Sequence, residues 1–123
     1  MLVSTDDVAW HHSLFGWAEL LALGVLEPAR RADAVSYRPP AWQDSGRDGA
    51  IDVPVGRELL IVEGVGAGRR ELTKLLDAVV WVQSDYEEAE RRGIARDVAQ
   101  DINGDQEQTV AFWHEWMAEE LDF

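Results

Sequence analysis

Cysteine is absent from the 123 residues, which removes disulfides, thiolate metal ligands and cysteine nucleophiles together and fits a reducing compartment. Basic residues are scarce, with 11 Lys and Arg against 24 Asp and Glu and a formal charge of −13. A field of that sign repels polyanions, so it argues against nucleic acid and anionic membrane surfaces as partners; a small anion could still bind where arginines cluster. Lys74 is the sole lysine and "TKL" is not the context of a G-x-x-x-x-G-K-[ST] phosphate loop, so the sequence holds no Walker A motif. No apolar run reaches transmembrane length, and "MLVSTDDVAW" lacks the basic and apolar stretches of a signal peptide. The cytoplasm is therefore the expected compartment.

What is present suits one domain with a modest core, since 46% of the residues are hydrophobic. "MLVST" reads as a strand, and the "TDD" after it offers N-cap oxygens. Trp10, Leu14, Trp17 and Leu21 recur at helical spacing, which predicts a helix from Val8 to about Leu23, interrupted by "GVLEP", with Trp17 in the core. Residues 34 to 57 combine three prolines with three glycines; most of this should be loop, with a short edge strand at Ile51 to Val53. "ELLIVEG", "RRELTKLLDA" and "AVVWVQSD" then read as strand, short helix and strand, a parallel βαβ unit. "DYEEAERRGIARDVAQDI" carries acids early and arginines late, as a helix dipole favours, and "NGD" should end it. The last segment places Val110, Trp113, Met117 and Leu121 on one face of an amphipathic helix.

The stretch "LLIVEGVGAGRREL" raises the question of a bound phosphate, because glycine-rich turns between strand and helix can bring N–H groups to an anion. Asp85 lies 21 residues after Gly64, where a ribose-binding acid would stand in a dinucleotide fold. The pattern fails at its third glycine, however: starting from Gly64 that place is Arg69, and starting from Gly66 it is Glu71. Glu63 would also repel a pyrophosphate. The glycines thus read as a tight turn with close backbone approach.

The acids are more informative. Glu63 ends one apolar strand, and Asp6 and Asp7 follow another. If the two strands are parallel neighbours, their carboxylates face one crevice, an arrangement suited to holding Mg²⁺ and deprotonating a hydroxyl. Asp6 or Asp7 could instead cap the helix that follows. His11 and His12 are adjacent and cannot both face one metal, and Ala118, four residues after His114, excludes the two-histidine zinc motif.

"VSTDD" before an aromatic-rich helix, "SYRPPAW", "LLIVEG" and "ERRGIARD" occur in an order that resembles uridine kinase-like P-loop phosphotransferases of the actinobacterial type. The resemblance runs from Met1 to the end, and it implies a partial α/β P-loop kinase-like domain over 1–123. Its parallel sheet of about three strands, near 1 to 5, 59 to 63 and 78 to 83, would have flanking helices, a substrate loop at about 34–57 and lid-side helices at about 85–121. The first strand and the Walker A loop of the family are missing ahead of Met1. That strand would lie between those ending at Glu63 and containing Val79 to Val82. The gap should then be closed by direct pairing or buried in a homo-oligomer.

The same resemblance implies transfer of the ATP γ-phosphate to a small-molecule hydroxyl, a nucleoside first, with Mg²⁺. Asp6 would be the base, and Glu63, with Asp7 beside it, would support the metal. Arg91, Arg92 and Arg96 would bind phosphate. Tyr37, Arg38, Trp42 and His12 would line the acceptor pocket, although "YRPP" departs from the family's usual "YDF". Without a phosphate cradle the chain alone should be inactive. The competing expectation is a non-catalytic, degenerate P-loop-like binding or interaction module.

Overall fold

A computed structural model describes residues 1–121, which cluster as two compact units, Met1–Val80 and the residues from Trp81 onward. The first unit is mixed α/β. Strand β1 (Leu2–Ser4) runs parallel to β4 (Ile61–Glu63), with Leu2 opposite Ile61, Val3 opposite Val62 and Ser4 opposite Glu63. The expected neighbour relation of these two strands is thus present. Val3 faces the core while Leu2 and Ile61 stay exposed on the other side.

The third expected strand does not form. Residues 78 to 85 have no regular structure, and Val80, Trp81 and Val82 are 85%, 80% and 88% exposed. A strand exists only through its ladder, and β-branched residues without a partner strand have propensity but no structure to join. The parallel sheet therefore has two strands rather than three, and no pairing of 59–63 with 78–83 closes it.

The 34–57 segment is more ordered than a loop. Strand β2 (Val35–Tyr37) pairs antiparallel with β3 (Ile51–Val53), which is the expected short strand, and helix α4 (Pro40–Asp44) lies between them. Val35, Ile51 and Val53 turn inward while Ser36 and Asp52 turn out, so the period of two was legible. Two prolines obscured α4: Pro39 holds the extended entry and Pro40 opens the helix, where a missing N–H is harmless.

The single helix expected from Val8 to Leu23 is also two pieces. Helix α1 (Thr5–Ala9) is capped by Ser4, whose Oγ accepts from the Asp6 N–H at 3.3 Å. It stops before His11, which sits at φ 54°. Helix α2 (Ala18–Leu21) then passes through a π turn (Ala22–Leu26) into α3 (Glu27–Arg30), so "GVLEP" does not interrupt it. A π turn shifts the hydrogen-bond register, and Pro28 falls in the first turn of α3, where it costs least. Trp17, Leu21 and Val25 bury against Val8, Val53 and Leu72, the last from a 3₁₀ turn (Arg70–Leu75) in place of the expected short helix.

The second unit is a helical hairpin of α5 (Tyr86–Ala99) and α6 (Gln106–Leu121), as the acid-to-base gradient and the "NGD" break indicated. Asp85 caps α5 by accepting from the Glu88 N–H at 3.0 Å, which gives the would-be ribose acid a local task. Asp105 and Gln108 bond each other's backbone N–H reciprocally at the start of α6. Gly93 is buried against Trp113: a Cβ there would lie 2.1 Å from the indole. The Trp113 Nε1–H donates to the buried Asp97 carboxylate at 2.8 Å, and Thr109 and Met117 complete the seam. The Leu121 side chain, expected on the same face, lies outside the described residues.

Candidate site at the ends of the parallel strands

Because Ser4 sits opposite Glu63, the chain leaves the two parallel strands at neighbouring points. Glu63 closes β4, and Asp6 falls two residues past β1 in the first turn of α1, and both are exposed. Gly64 explains how the two exits fit together. Its φ is +127°, and a Cβ built there would be 1.9 Å from the Thr5 Oγ1. Only glycine allows both the backbone angle and the approach. Gly66, at φ +79°, then completes the tight turn that the sequence led us to expect.

Arg69, at the place a third nucleotide-binding glycine would occupy, ties this turn down. Its Nη1 donates to the Phe15 carbonyl at 2.6 Å, and the guanidinium lies 5.1 Å from the Trp17 ring. The side chain is only 10% exposed. Burial pushes its pKa down, and Glu71 at 3.7 Å opposes that shift.

Asp7 does not cap α1. Its Oδ1 pairs with Arg47 at 2.7 Å, and Arg47 stacks 3.6 Å from the Trp42 ring and 4.9 Å from that of Trp10. Trp42 is buried, and its Nε1–H donates to the Asp7 carbonyl at 2.8 Å. The structure thus brings Asp7 and Trp42 together through an arginine that sequence reasoning overlooked. Arg38 donates to the Arg47 carbonyl at 2.6 Å. His12 lies beyond the end of α1 with its Nε2 3.3 Å from the Gly16 carbonyl.

Tyr37 is the acceptor-pocket candidate that does line a cavity. An open groove of about 490 Å³ runs past Glu19, Leu20, Leu23, Pro28, Val35 and Tyr37. Its floor depends on Gly24 in the π turn, where a Cβ would lie 2.5 Å from the Tyr37 ring. Partial burial raises the pKa of the Tyr37 phenol. Neither Asp6 nor Glu63 lines this groove.

The three candidate phosphate-binding arginines sit on α5. Arg91 and Arg92 both pair with Glu88, and Arg96 pairs with Asp97 at 2.7 Å. Arg91 foremost, with Arg92 behind it, holds the Glu88 carboxyl below the usual carboxylate range. "RRGIARD" therefore also builds the hairpin, through Gly93 and Asp97. The glycine and acid four residues apart, with a tryptophan on the following helix, were the available signal. Among the described residues no group of three or more His, Asp or Glu side chains is placed to hold a metal ion. No helix there is long and apolar enough to cross a membrane. No family model, curated protein or solved structure matches the chain.

Proposed function

We propose that the chain is the acceptor-side portion of a nucleoside kinase-like phosphotransferase. The observation that supports this reading most is the parallel register of β1 and β4, which brings the chain positions of Asp6 and Glu63 to neighbouring strand ends. That is the end of an α/β sheet where ligands bind. In the reaction, an acceptor hydroxyl oxygen attacks the γ-phosphorus of ATP, the bond to the β,γ-bridging oxygen breaks, and Asp6 takes the hydroxyl proton. Glu63 would hold Mg²⁺, while the groove beside Tyr37, which neither acid lines, plays no part in this step. With no Walker A sequence to cradle phosphates, the chain by itself should bind more than it catalyses.

Mn²⁺, a paramagnetic substitute for Mg²⁺, tests the site directly. Titrated into the chain, it should broaden the amide signals of Asp6, Asp7, Glu63 and Gly64 first, and Glu63→Gln should remove that effect without changing the fold. Broadening spread over α5 and α6 instead would sink the reading. Robust ATP consumption dependent on Asp6 would overturn the expected lack of activity.

A second reading, a binding module without catalysis, is favoured by the pairing of Asp7 with Arg47 and of all three α5 arginines with acids. It predicts no response to Mn²⁺ at Glu63 even with a nucleoside present.

A further inference from the structure

The groove beside Tyr37 has a make-up that phosphoryl transfer leaves unexplained. It is lined from α2 and the π turn (Ala22–Leu26) on one side and from β2 on the other. At about 490 Å³ it falls within the range of about 300 to 1,000 Å³ that small-molecule sites take. Single π turns inside helices recur at functional sites. Gly24 in this turn leaves no room for a Cβ, so the Tyr37 ring lies directly on the helix backbone as a fixed aromatic wall. Leu20, Leu23 and Pro28 make much of the remaining wall apolar.

Two polar groups on this wall have no protein partner. Among the described residues, the Glu19 carboxylate forms no ion pair and the Tyr37 hydroxyl no hydrogen bond. Partial burial raises the pKa of that phenol, so the hydroxyl keeps its proton at neutral pH. No arginine, lysine or histidine lines the groove, and the whole chain carries −13. Phosphates and carboxylates are therefore repelled, and a sugar would press hydroxyls against Leu20, Leu23 and Pro28. A cation with an apolar body matches every part of the lining: its charge meets Glu19 and the face of an aromatic ring, and its body covers the leucines.

We propose that this groove binds a small aromatic or alkyl amine, with the ammonium toward the Glu19 carboxylate and the Tyr37 ring and the apolar body on Leu20, Leu23 and Pro28. Glu19 selects for the charge, and the apolar wall retains the rest of the molecule. The site needs neither Asp6 nor Glu63, so it stands whether or not the phosphotransfer reading does.

The test titrates phenethylamine into the full chain and follows the backbone amide NMR spectrum, with 2-phenylethanol and 3-phenylpropionate as neutral and anionic controls of similar shape. The amine should shift the amides of residues 19 to 24 and 35 to 37, bind about threefold or more tighter than the alcohol, and lose that margin as salt rises. The carboxylate should shift none of them. Glu19 and Leu23 are both exposed, so substitutions there spare the core, and the unliganded spectra of the variants report the fold. Glu19→Gln should bring the amine down to the affinity of the alcohol and leave the alcohol unchanged. Leu23→Ser should weaken amine and alcohol alike. Equal affinity of amine and alcohol for the parent chain would overturn the proposal, as would an amine margin that survives Glu19→Gln. An amine indifferent to Leu23→Ser would be a surface ion pair and nothing more, and shifts confined to other residues would put the binding elsewhere; each overturns it equally.

Discussion

Two largely apolar segments of this chain have opposite fates. "LLIVE", residues 59 to 63, ends in a strand paired residue for residue with β1. "AVVWV", residues 78 to 82, has the higher β-propensity and lies open to water. The difference is what surrounds them. β4 has a partner strand, a glycine that lets the two exits nest, and an arginine that ties its turn to the core. The later segment has none of these. Strand formation in this molecule is decided by available neighbours rather than by the residues of the strand.

The comparison is broken most forcefully at Gly64, which makes the favoured strand possible. Gly64→Ala imposes a left-handed backbone on an L side chain and places its Cβ against Thr5. We expect a loss of about 3 kcal/mol or more and a large fall in melting temperature, with the β1–β4 amides losing exchange protection. If Gly64→Ala melts as the parent does, the nested exits are not what holds the pair.

The hairpin offers the next largest effect, because its seam shows what a fully supplied set of partners does. Trp113→Phe removes the N–H donated to Asp97 together with the part of the indole that lies against Gly93. The buried carboxylate keeps Arg96 and a long contact from Asn103 at 3.4 Å. Losing a donor to a buried charged acceptor and the packing of the indole on Gly93 should together cost about 2 kcal/mol or more, read from urea denaturation. A cost near zero would mean that water replaces the indole.

These cases also show where sequence reasoning reached and where it stopped. Local signals were legible: the two parallel strands, the Ile51–Val53 strand, the tight glycine turn, the two C-terminal helices and the break between them. Pairwise signals were not. The pairing of β2 with β3, the Arg47 stack on Trp42 and Trp10, and the Arg69 tether each join residues far apart in sequence, and charge or hydropathy patterns do not encode partners. Helix continuity through Pro28 was missed for a different reason, since a π turn changes the register that makes proline a breaker. At the candidate site, the placing of Asp6 and Glu63 at adjacent strand ends followed from strand order. The occupation of Asp7 by Arg47 did not.

A smaller effect separates α5 from its neighbours by pH. Glu88 has its pKa lowered by Arg91 and then Arg92, so ionisation of that carboxylate favours the folded helix. Its contribution is fully present above the unfolded carboxylate pKa and is lost as pH falls through the lower folded value. Helicity measured by circular dichroism should therefore decline on acidification below the usual carboxylate range, and Glu88→Gln should flatten that part of the profile. An identical profile in the variant would assign the decline to other acids.

The smallest expected effect is the sharpest for the comparison. Val80→Ser and Val3→Ala each remove apolar surface from a β-branched residue in strand-like sequence, but Val3 is the buried residue of β1 and Val80 is almost wholly exposed. Truncating Val3 should cost about 1 to 2 kcal/mol through lost burial and the cavity left behind. Val80→Ser removes nothing that the folded chain has buried, so its effect on the isolated chain should stay within about 0.5 kcal/mol of zero. Chemical denaturation of the two variants side by side makes the measurement. A loss at Val80 as large as that at Val3 would show the segment to be buried in solution, and the contrast between the two strands would then reflect an arrangement that the isolated chain leaves when Val80 is changed.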